Sequence, residues 1–472
     1  ESYGIRTTNI YVSGGTLNAK AQGATGLSAG IYTQNFELSG GIVNAVSVDA
    51  GAAQSVGIQT TKTCVICSGT LNAKGGDSNQ DSWAIDASGG ITISGGNVNA
   101  ATGTGERTYG ISADNVVITG GNVTLEPADA LLQSRGIQSM NDLTISGGTV
   151  NVKAGNAEKR SYGLQSGTTL AIVGGEVTVS VGKAEKAVSL YAGSEVKIDE
   201  ASEIIVKGFC GENAEYTLDI SSGVLTISGS GEMADYEQIY DVPWFEQKNI
   251  ITQIVVEEGI TSIGNAAFSS CENLETVSLP DSLTEIGVGA FAAAGMKEIE
   301  LPENLTTIGM GAFMDSMLTK ITIPASVTSI GNLAFSGCMA LLEVHFEGNA
   351  SELAGDYVFS DTSENLTVII YEDATGFEGN VWDDMNIVLI ERPVVEEPDE
   401  DKSAELEKEP ENTSSGKNNV VKTGDTEKTG DSDDSTNGDA AAQTGDASAI
   451  LLWAVLAFIS IAGIVSIRQK QN

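Results

Sequence analysis

A chain of 472 residues with one histidine has little room for acid–base chemistry. That residue is His345, between Val344 and Phe346. A Ser-His-Asp triad or a histidine metal site would have to be built on it. The equivalent positions of neighbouring repeats hold Ser278, Glu300 and Thr322, a polar outward slot, so an ordinary surface residue is expected. Cys64 and Cys67 form the CxxC spacing that holds zinc or cycles through a disulfide. On one strand, however, they lie about 10 Å apart, too far to be bonded. Cys64 falls in an apolar column and Cys67 in a serine slot. Cys271 and Cys338 share a slot in repeats too far apart to bond, and Cys210 has no evident partner. The five cysteines therefore read as small, mostly buried residues.

Asp86, Asp114 and Asp142 fall in three successive repeats and suggest at most weak calcium binding, with exposed turn carboxylates as the plainer account. A polysaccharide lyase needs clustered acids and a placed basic residue. Of Arg6, Arg107, Arg135 and Arg160, only Arg107 and Arg135 lie in neighbouring repeats, and their slots differ. Gly287-Val288-Gly289 lacks the Lys-Ser/Thr that would cradle phosphate. No enzyme and no resident cofactor are expected.

The residues suited to binding are different ones. Asn18, Asn44, Asn72, Asn99 and Asn151, with Thr124 and Thr178, recur at one slot. Beside them, two residues back, stand Thr16, Ile42, Thr70, Asn97, Asn122, Thr149 and Glu176. By strand alternation both columns face solvent and form a flat amide and hydroxyl strip. Such a strip suits an extended polysaccharide, yet stacked amides also bond to one another along a rod. A second column runs Tyr3, Ala29, Val56, Trp83, Tyr109, Arg135, Tyr162 and Val188, in a chain with only 6% aromatic residues. Its rings would suit sugars. Strict alternation puts it in the core with Ile5 and Ile31, and only a corner at the following glycine would turn it outward.

These columns exist because the first 205 residues repeat with a period near 27. The second glycine of a Gly-Gly slot is Gly15, Gly41, Gly69, Gly96, Gly121, Gly148 and Gly175. Three apolar columns accompany it, such as Ile10, Phe36, Cys64, Ile91, Val116, Leu143 and Leu170. A fixed period of this kind signals a solenoid, in which each coil buries its apolar face only against its neighbours. A second array covers about 251–370, with a period of 22–23. Its columns are Ile263, Ile286, Ile308 and Ile330; Phe268, Phe291, Phe313 and Phe335; and Leu274, Met296, Leu318 and Leu341. Pro280, Pro302 and Pro324 end successive strands.

The second array resembles the BspA-type leucine-rich repeats of bacterial surface proteins. The stretch GFCGENAEYTLDISSGVLTISGSGEMADY with PWF resembles the strand cap that often precedes them. The first array resembles the Gly-Gly β-helix repeats found beside such arrays, some of them described as carbohydrate-binding. That resemblance implies a glycan or a host or neighbouring surface protein as partner.

The formal charge of −40, from 64 acids and 24 bases, excludes a nucleic-acid binder. Of this, −25 falls on 206–390. Residues 391–447 are polar and acidic and are expected to form a disordered, extended linker. Ala449–Ile467 is uncharged and long enough to span a membrane as a helix, with Arg468 and Lys470 behind it on the cytoplasmic side. Gln443-Thr444-Gly445-Asp446 upstream resembles the cell-wall sorting signal of Gram-positive surface proteins, with Ala441 and Ala442 in its Leu and Pro positions. The resemblance implies sortase cleavage between Thr444 and Gly445 and linkage to peptidoglycan, a step that the two alanines put in question. Glu1 opens directly into a repeat, as a processed or truncated start would.

The expected architecture is mostly β. A β-helix (1–205) and a strand cap (206–250) precede the leucine-rich repeats (251–390). The acidic linker (391–447) and a transmembrane anchor with its sorting signal (448–472) follow. The expected role is non-catalytic adhesion or glycan and protein binding at the cell surface. A passive stalk is the alternative, and a lyase-like enzyme ranks last.

Overall fold

The computed structural model describes residues 1–48, 51, 53–199, 202–350, 353–378, 382 and 385–393. The expected anchor, the sorting signal at Thr444 and Gly445, and the linker from residue 394 lie outside the described residues. Residues 1–390 form one compact unit. Among the described residues it is built of strands, turns and two short 3-10 segments, Ile239–Asp241 and Phe245–Gln247.

In the first array every coil pairs in parallel with the next. The apolar columns are in register: Ile10 opposes Phe36, which opposes Cys64, then Ile91 and Val116. Burying such side chains contributes about 1.5–3 kcal/mol each. The strands Leu27–Ser47 and Gln54–Lys74 run through the Gly-Gly corner without a break. The second glycine of each pair has φ between 71° and 91°. At Gly96 an added Cβ would also sit 2.7 Å from the Gly69 carbonyl oxygen and 2.8 Å from the Ser68 carbonyl carbon. Conformation and close backbone approach both demand glycine there.

A column that pattern reading overlooked fastens the coils from inside. Ser28, Ser55, Ser82, Thr108, Ser134 and Ser161 are fully buried. The Ser82 hydroxyl donates to the Gly76 carbonyl (2.8 Å), and Ser161 donates to the Gly155 carbonyl (3.0 Å). Each hydroxyl thereby ties down the turn just before its own strand. In return the N–H groups of Gly76 and Gly155, one coil on, donate to Ser55 Oγ (2.7 Å) and Ser134 Oγ (2.8 Å). A buried hydroxyl is tolerated only when it is satisfied in this way.

The two arrays share one sheet and one core. Val177 opposes Ile204 in the strand Glu203–Phe209, so the sheet passes across residue 205. Two antiparallel pairings follow, through Ala214–Asp219 and Val224–Gly229. Leu225 then opposes Ile254, and Ile254 opposes Val277, which restores parallel pairing in the leucine-rich repeats. One hydrophobic cluster runs from Ile10 to Trp382.

Within the second array the phenylalanines form a spine. Trp244, Phe268, Phe291, Phe313, Phe335 and Phe359 stack with successive ring centroids 5.2–5.7 Å apart. Stacked rings add about 0.5–1.5 kcal/mol per pair beyond burial. The carbonyls of Pro280, Pro302 and Pro324 each accept the N–H three residues on, which turns the chain at the strand end. Each coil also has a left-handed residue, at Ala266, Gly289, Gly311, Leu333 and Tyr357.

Candidate binding faces and junction cavity

The strip after the Gly-Gly corner faces outward, and its amides are bonded to one another. Asn44 Nδ2 donates to Asn18 Oδ1 (2.7 Å), Asn72 to Asn44 (2.7 Å) and Asn99 to Asn72 (2.8 Å). Asn122 donates in the same way to Asn97 (3.1 Å) in the adjacent column. An asparagine amide has two N–H groups and an oxygen with two lone pairs. Each interior rung therefore keeps one N–H and one lone pair for a ligand. Asn151 opposes Thr124 and Thr178, stands outside the ladder and is exposed.

The large side chains of the aromatic column leave the central core at a bend in the glycine slot, yet most of the column stays buried, with Ala29 and Val56 fully so. Ala84 and Ile85 are consecutive and both fully buried, which breaks the alternation and puts Trp83 on the other side. Trp83, Tyr109 and Tyr162 accordingly lie outside the core cluster. Their ring faces, however, meet each other rather than solvent. Trp83 and Tyr109 stack at 5.5 Å and 13°. The Arg135 guanidinium lies 5.2 Å from the Tyr109 ring centre and 5.9 Å from that of Tyr162. Tyr191, 39% exposed, closes the row 5.7 Å from Tyr162. Tyr109, Arg135 and Tyr162 are only 6–8% exposed. Arg135 donates to Gln165 Oε1 (2.7 Å) and to the Tyr109 hydroxyl (3.0 Å), with no carboxylate paired to it among the described residues. Burial lowers its pKa and raises that of Tyr109. What sequence presented as a sugar platform is a stack along the rod that offers mainly its edges.

The three aspartates do not converge. Asp86 sits on the strand, where it accepts from Gln59 Nε2 (2.8 Å) and burial raises its pKa. Asp114 and Asp142 lie beyond that strand, and Asp142 accepts from the Thr168 hydroxyl and the Thr169 N–H. Among the described residues no three His, Cys, Asp or Glu side chains come together to hold a metal. All five cysteines are free; Cys67 is exposed and the other four are buried. Burial pushes the thiols of Cys64, Cys210 and Cys271 up to about 12 and that of Cys338 to about 11.

His345 departs from the open surface position expected. Its ring meets Tyr371 edge-on at 5.4 Å, and its Nε2 is buried without a partner. The reason is local: the next coils place Ile369 and Val388 in its slot, so the polar slot turns apolar towards the end of the array.

A cavity of about 1050 Å³ lies where the two arrays meet. Its walls come from the last coil of the β-helix, the turn at 210–213 and residues 230–247. No periodic signal marked it, because most of its lining comes from the non-repeating stretch 209–247.

Against known proteins, the family model for the BspA type leucine rich repeat region matches residues 241–370 in six copies. No curated protein matches the chain. Among solved structures, a leucine-rich repeat protein from Eubacterium ventriosum is 29% identical, over 29% of this chain and 43% of that one, with a TM-score of 0.26. The match thus spans less than half the length of that protein. The pneumococcal vaccine antigen PcpA is 13% identical, over 68% of this chain and 80% of that one, at a TM-score of 0.31. A leucine rich cell surface protein from Faecalibacterium prausnitzii is 13% identical, over 62% and 84%, at 0.24.

Proposed function

We propose that this chain is a non-catalytic, surface-displayed binding protein whose first array holds an extended polysaccharide or a partner surface protein along its flat strip. One observation carries the reading. Polar side chains fill nearly every outward slot at Asn18, Asn44, Asn72, Asn99 and Asn151 and beside them, in parallel register. The ladder fixes the amides at about the 4.8 Å coil spacing and leaves each interior one with unused hydrogen-bonding capacity. Preorganised groups of this kind lower the entropy cost of binding a long, repetitive ligand. The second array, with BspA-type repeats over 241–370, serves as an acidic, soluble spacer. The sorting signal at Thr444 and Gly445 and the apolar span 449–467 would tether the chain to the wall or membrane of a Gram-positive cell, with everything upstream outside.

A passive stalk is the second reading, favoured by the fact that both the amides and the rings are bonded among themselves. A glycan array probed with the full chain separates the two. The binding reading expects a selective, saturable signal on at least one polysaccharide, and the stalk reading expects none. Release of reducing ends or unsaturated products from a bound glycan would overturn the non-catalytic part.

A further inference from the structure

We propose that a second face of the first array binds an acidic polysaccharide of the polyuronate type, through a row of cations on successive coils. The row lies beside the glycine slot, on other strands than the asparagine strip, and does not rest on that strip binding anything.

The chain is acidic as a whole, yet 12 of its 24 bases fall in the first 205 residues. Four of them stand one per coil on one side of consecutive coils. Arg107 opposes Gln133, Gln133 opposes Arg160, and Arg160 opposes Lys186. Arg135 belongs to the same strand as Gln133, Ala130–Ser139, two residues on. Positions two apart on a strand share a face. The first of the four cations is already used, since Arg107 is bonded to Asp81 through Nε and Nη2. The other three are free of carboxylates. Arg160 and Lys186 are exposed and form no ion pair among the described residues, and the neighbouring Glu185 is bonded to Lys159 (2.7 Å).

Arg135 supplies a second, independent sign. It is 8% exposed, and a guanidinium withdrawn from water in this way ordinarily has an anion beside it. Gln165 and the Tyr109 hydroxyl take Nε and Nη1 and so aim the group. Nη2 bonds to no described residue and is not among the sealed, unpartnered atoms, so that end of the guanidinium opens to solvent. Burial lowers the Arg135 pKa, and the guanidiniums of Arg107 and Arg160 push the same way. An anion at Nη2 would relieve both. A carboxylate is suited to the place, because it accepts paired hydrogen bonds from a guanidinium fork. Groups that match hydroxyls stand beside the cations. Gln133 lies in the row, Gln165 has given only its oxygen to Arg135, and Tyr191 is 39% exposed at the end of the ring column. Each sugar of a polyuronate carries a carboxylate together with hydroxyls. An acidic peptide lacks the hydroxyls. Its side chains also alternate, so carboxylates on one side recur about every 6.6 Å, out of step with coils about 4.8 Å apart.

The test is isothermal titration of the full chain with polygalacturonate at about 150 mM salt, close to physiological ionic strength. The proposal expects saturable binding, weakened tenfold or more in Arg160→Gln/Lys186→Gln. Both of these positions are exposed, so the variant tests the site without threatening the fold. Arg135→Gln, checked for folding by circular dichroism, should lose as much. Lys20→Gln/Lys62→Gln makes the same change of charge at exposed lysines elsewhere on the array and should bind as the parent does. So should Asn72→Ala/Asn99→Ala. Fully methyl-esterified polygalacturonate, the same sugar without its charge, should not bind. Four results would each overturn the proposal: no saturable binding, equal losses in the cation row and the control lysines, equal binding of the methyl ester, or poly-glutamate binding as tightly as polygalacturonate. A loss in the asparagine pair with none in Arg160→Gln/Lys186→Gln would place the glycan on the strip and overturn it as well.

Discussion

Both arrays need a left-handed residue in every coil, and they fill that need differently. In the first array all seven such corners of the Gly-Gly slot are glycine. In the second, the comparable slot holds Ala266, Gly289, Gly311, Leu333 and Tyr357. The cause is what a side chain would meet. At Gly96 a Cβ would run into the backbone of the preceding coil at 2.7–2.8 Å, whereas at Gly289 its nearest neighbour is Ala292 Cβ at 4.0 Å. The β-helix turns its chain against the coil below, and the leucine-rich repeat turns into open space. Uniform glycine therefore reports close packing between coils, while mixed occupancy reports only a backbone preference.

The sharpest way to break this comparison is a matched pair of substitutions. Gly96→Ala carries the left-handed cost of about 1–2 kcal/mol together with about 1–3 kcal/mol of backbone displacement. Gly289→Ala carries only the first. Thermal unfolding of the two variants should show the larger loss at Gly96; equal losses would remove the packing explanation.

A smaller effect probes the amide ladder. Asn72→Ala removes two rungs, each contributing about 0.5–1.5 kcal/mol, whereas Asn151→Ala removes none. Denaturant midpoints should fall for the first variant and stay within error for the second. If both move alike, the ladder is not stabilising.

The smallest readout involves no mutation. The first array exposes one thiol, Cys67, and the second exposes none. With the buried thiols raised to about 11–12, a thiol reagent at pH 8 should modify one equivalent in the native chain and five after unfolding. Rapid modification of more than one native thiol would show that the coils open readily.

Period and alternation made most of the fold legible. The columns headed by Ile10 and Ile263 are in register and buried, because a solenoid repeats one environment per coil. The candidate faces were less legible. Slot analysis placed Asn72 on the outside but could not choose between ligand and neighbour as its partner, since one amide can serve both. Trp83 depended on whether the chain makes a corner at Ala84, in the slot that glycine fills in most other coils, a backbone property that alternation does not encode. The buried hydroxyls of Ser82 and Ser134 recur as regularly as the apolar columns, but polarity disguised them as surface. His345 inherited an outward polar slot and lost it to Ile369 and Tyr371 in the following coil. The junction cavity was invisible to repeat analysis because Tyr236 and Tyr240 belong to no repeat.

The central claim is that the outward strip of the first array is a binding surface and not merely a self-satisfied ladder. The most direct test captures the full chain on the polysaccharide that it selects and compares Asn72→Ala/Asn99→Ala with Trp83→Ala/Tyr109→Ala, each checked for folding by circular dichroism. The account predicts that the asparagine pair loses retention about tenfold or more, the scale of one lost charge-free hydrogen bond or two, while the folded signal persists. Retention unchanged in the folded asparagine pair would contradict it, whatever the aromatic pair does.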